Sequence, residues 1–586
     1  MIPLHFAGII LAVCVASWST LSKHSETSAP LEHVQQRPFV EASHKWDIHI
    51  PPSENATGHL VFQSVSSLLQ HWPNARYRNG HTIVAGTVPL GTLLYHGRSD
   101  SKYPQGAEWT ATDPEHSFLF CIRPCWHLTV VTTRPLNVLY FDGSSAVKMH
   151  GGSMDSQDML LWGERKTDKV FSEEERLAQL CQWGKEFGLD GFVRMEMNFE
   201  VMLCDFGSGV ETVSFLQLAN ASPSHKQPTD DSPPDPEAET DRWISEGHNP
   251  AVTIRNFELM HSSSRYNQYP GDTRIRLDLT RLVSFYDPEL APSLTQVRAQ
   301  ELKGNRWLYD LLKIEPQDID ILHRKLREAL SEIGHGERVT SGVDWETLYQ
   351  VIIKRFGSRL ENLHHVLRSD LGSTILDEED RILKSFAQVN IMLTPYIPYG
   401  VKPNLAAPNP MVEGDSPPSL LAWASPAYEM CSTSHTSYIS SSTDITKRMT
   451  ASEKLLLGAV QDTTKEICRV LVKMWSTGVE AGLDLRYWVR RTAGTVAGEN
   501  QDPFGALVEN WRRELEGLME WLDWHMWVKC SPACSNDELC YMPTWPYFGG
   551  PPAGPSMGPT VEDMGETKEW ERPMPKCIRK IAPYSF

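Results

Sequence analysis

The chain has 586 residues, more than the roughly 250–300 that one hydrophobic core usually supports, so we expect about two or three folding units. Its 40% hydrophobic and 22% charged residues are typical of folded protein and exclude wholesale disorder. The formal net charge of −19 argues against nucleic acid or an anionic membrane as the main partner, because such surfaces bind an excess of Lys and Arg.

The amino terminus predicts a secretory signal. The segment "MIPLHFAGIILAVCVASWSTLSK" has an apolar run from about Phe6 to Trp18, which is short for a bilayer span of about 20 residues. We therefore predict a signal peptide over residues 1–20 and a secreted or luminal protein. Since no Lys or Arg precedes the run and no clean cleavage site follows it, an uncleaved membrane anchor remains the alternative. Two sequons, at Asn55 and Asn220, fit glycosylation in the same compartment.

The cysteines predict disulfides. Removing Cys14 with the signal leaves ten of the 11 cysteines, an even number whose pairing the sequence does not give. They are Cys121, Cys125, Cys181, Cys204, Cys431, Cys468, Cys530, Cys534, Cys540 and Cys577. The two close groups among them, one beside His127 and one near the carboxyl terminus, have spacings that zinc would also accept. In a secreted chain disulfides are favoured, so no metal site is predicted.

Residues 54–300 predict an α+β domain, after an irregular lead-in over residues 21–53. Apolar spacing in "GHLVFQSVSSLLQHW" predicts a helix, and short strands follow in "HTIVAGTVPLGTLLYHG", "WHLTVVTTRPLNVLYFDG" and "GFVRMEMNFEVMLCDF". Before the last of these, "SEEERLAQLCQWGKEFGLDG" predicts a helix that Ser172 caps, with Glu175 three residues later. We expect these strands to form a mixed or antiparallel sheet.

A segment rich in Pro, Asp and Ser, over residues 220–243, has no apolar face and predicts a solvated linker. After it, apolar and polar residues alternate in "DTRIRLDLTRLVSFYDPEL", which predicts another strand. The chain can therefore return to the same sheet, in which case the linker is an insertion.

Residues 301–529 predict a mainly helical domain. Apolar residues recur every three or four positions in "RWLYDLLKI", "QDIDILHRKLREALSEIG", "DWETLYQVIIKRFGSRLENLHHVL" and "DEEDRILKSFAQVNIML", and in two further segments beyond a Pro- and Ser-rich loop at 394–442. The tail, residues 530–586, predicts a loop-rich end held by disulfides, with Cys577 as a candidate fourth cysteine beside the three near Cys534.

Common hydrolase motifs are absent from the sequence: no G-x-S-x-G, no H-E-x-x-H and no Walker A loop occurs. Glu196 and Glu200 suggest a glycosidase carboxylate pair. If both lie on one strand, their separation is about 13 Å, beyond the roughly 5–10 Å that such a pair needs. The sequence therefore argues against a glycosidase.

Three segments instead resemble the motifs of another enzyme family. "LLYHG" ends in His96 and Gly97, "WTATDPEHSFLFC" places Trp109 eight residues before Ser117, and "MNFEVMLCDF" carries Glu200. Together they resemble the three strand motifs of ADP-ribosyltransferases of the diphtheria-toxin and poly(ADP-ribose) polymerase type, with Trp109 where that family has Tyr. The matching segments span about 110 residues of the chain.

The resemblance implies that NAD is the substrate. His96 and Gly97 would hold its ribose and amide, Trp109 and Ser117 would complete its binding site, and Glu200 would be catalytic together with His96. Nicotinamide leaves through an oxocarbenium-like transition state, so a carboxylate, an aromatic surface and fixed hydrogen-bond donors suit that chemistry. No other cofactor is implied.

A polar loop follows the predicted strand that ends near Tyr140. It holds Asp142 and Lys148 with a Gly151-Gly152 pair, which favours either phosphate binding or a surface loop that caps the next helix. The whole chain also resembles large uncharacterised secreted proteins of filamentous fungi, with similar "EWTATDPEHS" and "DGFVRMEMNFEVM" blocks.

Two functions thus remain open from the sequence. One is an NAD-dependent ADP-ribosyltransferase or NAD glycohydrolase. The other is a non-catalytic secreted or membrane-anchored glycoprotein in which the residues above are structural and the helical half binds a partner. The protein or small-molecule partner is not defined by the sequence.

Overall fold

The computed structural model describes ten stretches of the chain, residues 46–121, 124–148, 151–218, 258–302, 304–331, 339–368, 375–403, 421–484, 504–543 and 572–581. All of them belong to one compact unit, Ala42–Phe586. The predicted signal, most of the lead-in, the linker at 220–243 and the Asn220 sequon lie outside the described residues.

Within these residues, nine strands form one sheet in the order β8-β4-β2-β3-β7-β6-β5-β1-β9. The strands are β1 (Thr82–Val88), β2 (Leu93–Arg98), β3 (Glu108–Ala111), β4 (Cys125–Thr132), β5 (Leu136–Phe141), β6 (Gly191–Met195), β7 (Phe199–Leu203), β8 (Val210–Leu218) and β9 (Arg276–Ser284). Among the described residues, all strand pairs of this sheet are antiparallel except β5 with β6. That pair is parallel because helices connect its strands, as a parallel connection requires.

Apolar side chains cover both faces of the central strands. On the first face, Val138 and Val201 belong to a large core that includes Ile352 and Leu471 from the helical half. On the second face, Leu139 and Met202 belong to a separate apolar cluster. Every position of β6 and β7 is buried, which explains their nearly continuous apolar sequence.

The helices lie on both sides of this sheet. They are α1 (Gly58–Ser66), α2 (His71–Arg76), α3 (Pro114–Ser117), α4 (Asp155–Trp162), α5 (Glu173–Gly184), α6 (Pro292–Gln300), α7 (Pro316–Leu330), α8 (Trp345–Arg368), α9 (Ile375–Leu393), α10 (Ser425–Thr433), α11 (Ser437–Ser441), α12 (Thr443–Arg448), α13 (Ala451–Glu480) and α14 (Gly505–Leu522). The long helix α13 packs against α1, α10 and β9, whereas α7 packs against α4 and β9. The α+β fold class is thus confirmed, while the predicted boundaries at 300 and 529 stay predictions.

The strand after the linker returns to the first sheet. β9 pairs antiparallel with β1, with Val283 opposite Ile83. Residues 220–243 therefore lie between two strands of one sheet, as the insertion interpretation expects.

Several local expectations differ from the structure. In the segment "RWLYDLLKI" only Arg306–Leu308 forms a short 3₁₀ turn, because tertiary contacts fix its residues separately. Arg306 stacks on the Tyr77 ring, and the Leu311 backbone N–H donates to the Asp155 carboxylate. The predicted loop at 394–442 contains α10 and α11.

The predicted cap of α5 also differs. Ser172 is its N-cap residue but makes no side-chain capping bond, and Glu175 pairs instead with Lys169 at 2.5 Å. A capping box does form at α13, where Thr450 and Glu453 bond reciprocally.

All ten predicted cysteines form disulfides. The pairs are Cys121–Cys125, Cys181–Cys204, Cys431–Cys468, Cys530–Cys540 and Cys534–Cys577. The last two hold a small two-stranded antiparallel sheet of β10 (Glu538–Tyr541) and β11 (Lys576–Arg579), which confirms the disulfide-held tail. The zinc alternative at both cysteine groups is wrong, because the sulfur atoms are bonded to one another. None of the described helices is long and apolar enough to cross a membrane.

Candidate functional site

A tight hairpin brings Glu196 and Glu200 together. The segment "GFVRMEMNFEVMLCDF" forms two strands, β6 and β7, and Glu196 lies in the turn between them. Oxygen atoms of both carboxylates and a ring nitrogen of His116 lie within 4.8 Å of one another. The expected separation of about 13 Å is therefore wrong, because it assumed one continuous strand.

These side chains belong to a buried charge cluster, which we define as His116, Lys148, Glu173, Arg194, Glu196 and Glu200. His116 enters from α3, and its Nε2 lies 3.5 Å from Glu196 Oε2. Lys148 comes from the loop after β5, and its Nζ donates to Glu196 Oε1 at 3.1 Å. The cluster thus joins the "DPEHS" segment, the polar loop and the β6–β7 hairpin.

Arg194 is the centre of this charge cluster. Its Nε and Nη2 donate to Glu200 Oε1 at 2.9 and 2.6 Å, and Nη2 also donates to Glu173 Oε2 at 2.5 Å. Its Nη1 donates to Gln157 at 3.2 Å. The side chain is only 1% exposed, so each of these bonds satisfies a charge that has no water around it.

The charges around Glu196 decide its protonation. Burial alone would raise the pKa of Glu196, but the charge of Lys148 and the contact with His116 outweigh burial and lower the pKa to about 2. Burial would likewise raise the pKa of Glu173, which the charges of Arg194 and Lys148 lower instead. A glycosidase needs one carboxyl that stays protonated, and Glu196 does not meet that requirement.

The carboxyl-terminal strands β10 and β11 contact residues next to the charge cluster. Tyr541 and Ile578, from β10 and β11, pack with Val147 and Met197, the neighbours of Lys148 and Glu196 in the chain. The loop after β5 and the β6–β7 turn therefore contact the disulfide-held tail next to the charge cluster.

His96 and Glu200 lie on opposite faces of the sheet. β3 separates their strands, and its Ala111 is paired with both Tyr95 and Glu200. Paired residues in antiparallel strands share a face, and neighbours along a strand alternate. Tyr95 is thus on the face of Glu200, and His96 is on the other.

Both ring nitrogens of His96 contact other groups of the protein near its own face of the sheet. Its Nδ1 is 2.7 Å from the Trp109 carbonyl oxygen. Its Nε2 is 2.8 Å from Glu108 Oε2, at ion-pair distance but not aligned for a hydrogen bond. The ring is 4% exposed, so both of its nitrogens face protein.

Gly97 and Ser117 contact each other through the backbone. A Cβ atom on Gly97 would lie 2.3 Å from the Ser117 carbonyl oxygen, so only glycine fits under α3. Ser117 Oγ lies 2.7 Å from both the Pro114 carbonyl oxygen and His127 Nε2. Because a carbonyl only accepts, the hydroxyl proton points at Pro114 and His127 donates to the oxygen. This is the reverse of an activated serine.

The remaining predicted residue, Trp109, packs edge-on against Phe120 at a centroid distance of 5.8 Å. It shares a face with Ala111 and therefore with Glu200. Of the five predicted site residues, Gly97, Trp109, Ser117 and Glu200 thus belong to the second face, and His96 alone faces the first. No cleft unites all five.

Sequence reasoning did not single out Arg194 or His116. The sequence contains a feature that could have predicted the buried ion pair of Arg194, since an arginine inside an otherwise apolar strand must find a buried partner. No sequence feature predicts the place of His116, because its distance to Glu196 depends on the hairpin turn.

A divalent cation would find oxygen and nitrogen donors at His116, Glu196 and Glu200. The amino and guanidinium groups of Lys148 and Arg194 already contact those carboxylates, so a cation would have to displace them. The donor set does not fit a metal without that rearrangement.

A small polar cleft lies beside the start of the loop that follows β5, away from Lys148 and the charge cluster. The space inside it is about 20 Å³, which is room for about one water molecule. Its walls consist of Gln63, Ser64, Ser67, Pro73, Asn74, Tyr77, Asn79, His81, Asp142, Gly143, Tyr286 and Arg306. Asp142 accepts from the Thr82 backbone N–H at 2.7 Å and from Ser64 Oγ at 3.1 Å. Burial raises the pKa of Asp142 to about 6.

Fold and site together define a disulfide-bonded α+β protein with a buried charge cluster at the β6–β7 turn, in the middle of a nine-stranded sheet. Residues 125–232 match the family model described as the YPL277C N-terminal domain. That range contains every residue of the charge cluster except His116.

Two proteins of Saccharomyces cerevisiae are similar over larger parts of the chain. One, named uncharacterized protein YOR389W, is 25% identical, and the alignment covers 92% of this chain and 90% of the relative. The other, uncharacterized protein YPL277C, is 27% identical over 62% of this chain and 88% of the relative. Both are fungal, in agreement with the resemblance noted in the sequence. No solved structure gives a significant match.

Proposed function

We propose that this protein is a non-catalytic binding protein of the secretory pathway, in which the charge cluster stabilises the fold. Five disulfides indicate an oxidising secretory or extracellular environment. This supports secretion, although the predicted signal itself lies outside the described residues.

The observation that carries the proposal is the pairing of the predicted catalytic side chains inside the protein. Glu200 is 2% exposed and bound to Arg194, and His96 is 4% exposed and bound to Glu108 and the Trp109 backbone. A catalytic group must reach substrate, whereas both of these side chains are buried and paired with other groups of the protein. Such networks are instead a common way to satisfy buried charges.

NAD hydrolysis at Glu200 is the second candidate. The observation in its favour is that Trp109 shares a face with Glu200, while a ring nitrogen of His116 in α3 lies within 4.8 Å of a Glu200 oxygen. In this alternative His116 takes the position that the sequence assigned to His96. The contacts that bury Glu200, including its pair with Arg194, would have to open before NAD could reach it.

Nicotinamide release separates the two candidates. Purified protein, incubated with NAD with and without an acceptor protein, is expected to release no nicotinamide above a buffer control, measured by chromatography. Release that disappears in Glu200→Gln but persists in an exposed-site control, Glu211→Gln, would establish the second candidate and overturn the first.

The secretory assignment predicts a glycan at Asn55. Asn55 is exposed in the turn before α1, so the finished glycan has room outside the fold. We expect protein secreted from a fungal host to shift on a gel after endoglycosidase treatment, and Asn55→Gln to lose one step of that shift. The conservative partner variant Thr57→Ser keeps the sequon and should keep the step. An unshifted wild-type protein would contradict the prediction.

A further inference from the structure

The two disulfides of the carboxyl-terminal tail lie next to each other. The sulfur of Cys530 is bonded to Cys540, yet it lies within 4.8 Å of the sulfurs of both Cys534 and Cys577. In thiol–disulfide exchange a thiolate sulfur attacks a disulfide sulfur directly, so exchange within a protein requires sulfurs this close together. A thiolate formed in one tail bond is therefore beside the other tail bond.

The tail disulfides are also accessible. All four tail cysteines are partly exposed, whereas the cysteines of the Cys121–Cys125 and Cys431–Cys468 pairs are at most 5% exposed. The Cys181–Cys204 pair is partly exposed as well, but no third cysteine of the described chain lies within 4.8 Å of both its sulfurs. The tail thus combines the access that an external thiol needs with a second disulfide at hand.

The backbone of β10 and β11 fits a different pairing of the same cysteines. Cys540 and Cys577 lie directly opposite each other. Three positions before Cys540, the Lys580 N–H donates to the Asp537 carbonyl oxygen at 2.8 Å, so these opposed residues are a hydrogen-bonded pair. The two kinds of pair alternate, so Cys540 and Cys577 are a non-hydrogen-bonded pair with Cα atoms about 4.5 Å apart. Disulfides span Cα distances of about 4.4–6.8 Å, which includes this value.

The remaining two cysteines, Cys530 and Cys534, can also pair. Their sulfurs already lie within 4.8 Å of each other. The chain contains another disulfide with the same sequence separation of 4, Cys121–Cys125, whose Cα atoms are 4.7 Å apart. A loop of this length therefore closes without difficulty in this protein.

We propose that the tail is a disulfide switch that a small thiol operates. Its first state is Cys530–Cys540 with Cys534–Cys577, and its second state is Cys530–Cys534 with Cys540–Cys577. In the first state both bonds fasten residues 530–534 to the β10–β11 sheet. In the second state each bond closes within one local segment, so no disulfide ties the sheet to the chain before it. The inference rests on the disulfides alone and is the same for either candidate function.

The exchange takes place in three balanced steps. The external thiolate attacks the Cys534 sulfur, which forms a mixed disulfide and releases Cys577 as a thiolate. Cys577 attacks the Cys540 sulfur, which forms Cys540–Cys577 and releases Cys530 as a thiolate. Cys530 attacks the Cys534 sulfur, which forms Cys530–Cys534 and releases the external thiolate. Nothing is oxidised or reduced overall, so the thiol acts as a catalyst.

The switch changes how firmly the tail is held next to the charge cluster. Tyr541 and Ile578 are 3% and 1% exposed and pack with Val147 and Met197. In the second state this packing alone holds the β10–β11 sheet against the loop after β5. We therefore expect backbone hydrogen exchange at residues 144–148 to be faster in the second state than in the first.

Peptide mapping without reduction tests the proposal on the full-length protein. The protein is incubated with reduced glutathione, quenched with acid, alkylated and digested with trypsin and a Glu-specific protease, which cut after Lys529, Glu538 and Lys576. The first state joins three peptides into one species. The second state gives peptide 530–538 with an internal disulfide and a separate Cys540–Cys577 species. We expect loss of the three-peptide species and an equal gain of the two new ones, only when glutathione is present.

The variant Cys534→Ala isolates the second step, because it leaves Cys577 as a free thiol beside the Cys530–Cys540 bond. Cys540–Cys577 is expected to form without added thiol, which leaves the free thiol on Cys530. Cys204→Ala is the matched control, since it frees the partly exposed Cys181 away from any second disulfide. Its thiol should stay on Cys181 with the other four pairs unchanged. Circular dichroism checks the folding of both variants.

Two results of the mapping would overturn the proposal. One is the absence of the Cys540–Cys577 species after glutathione treatment, whether the tail bonds stay intact or are only reduced. The other is exchange of the Cys181–Cys204 pair and the buried pairs to the same extent as the tail, since general unfolding would then be the cause. Unchanged hydrogen exchange at residues 144–148 once the second state has formed would show that the disulfides do not fasten the tail.

Discussion

Glu200→Ala is expected to destabilise the folded protein by about 3–5 kcal/mol, which is the usual cost of removing one partner of a buried ion pair. Glu200 and Arg194 are 2% and 1% exposed, and two hydrogen bonds join them. Removing the carboxylate leaves part of the guanidinium charge buried without compensation, because the Arg194 side chain is only 1% exposed and lies against Gln157 of α4 and Glu173 of α5. Urea unfolding followed by circular dichroism measures the loss.

Two comparisons make this result specific to the ion pair. Glu211→Ala removes an exposed carboxylate of β8 and should change stability by no more than about 0.5 kcal/mol. Arg194→Met combined with Glu200→Leu removes both charges and should cost less than the sum of the single changes, since no charge is left unpaired. If Glu200→Ala matched the Glu211→Ala control, the structural role of the charge cluster would be wrong.

Removing the Cys431–Cys468 disulfide is expected to cost about 4 kcal/mol. The bond joins α10 to α13 across a sequence separation of 37, and loop-closure entropy gives this magnitude for such a loop. Both cysteines are buried in the large core that also contains the first face of the sheet. The double variant Cys431→Ala/Cys468→Ala should therefore unfold at clearly lower urea concentration.

The Cys530–Cys540 bond is the matched comparison, with a sequence separation of 10. Its removal should cost less, about 3 kcal/mol or below, and the second tail bond, Cys534–Cys577, still holds β10 to β11. Peptide mapping by mass spectrometry without reduction checks that the other pairs are unchanged. Equal unfolding of wild-type and Cys431→Ala/Cys468→Ala protein would show that this bond does not stabilise the core.

Hydrophobic periodicity predicted most elements of the fold. The apolar spacing that defines α8, α9, α13 and α14 is local, and each of these helices buries the face that the spacing marks. The failures have a common cause. In "RWLYDLLKI" the same spacing occurs, but Arg306 stacks on Tyr77, so contacts distant in sequence override the local pattern.

The candidate site was less predictable, because it depends on one turn. Glu196 and Glu200 read as two positions of a single strand, and only the hairpin at residues 196–198 brings their carboxylates together. The positions of His96 and Glu200 relative to each other likewise depend on tertiary structure, in this case on the order of the strands in the sheet. Placing β3 between β2 and β7 fixes the faces of these two residues, and alternation along each strand then puts them on opposite sides.

By itself, the sequence determined the α+β class and indicated disulfides among ten of its 11 cysteines, since composition and periodicity are properties of the local chain. Tertiary structure alone decided which cysteines pair and which carboxylates meet. The physical reason is the separation along the chain between the residues that interact. Burial patterns are set by neighbours three or four residues away, whereas the bonds of Arg194, the Cys534–Cys577 pair and the cleft between His81 and Arg306 join residues that only the sheet topology brings together.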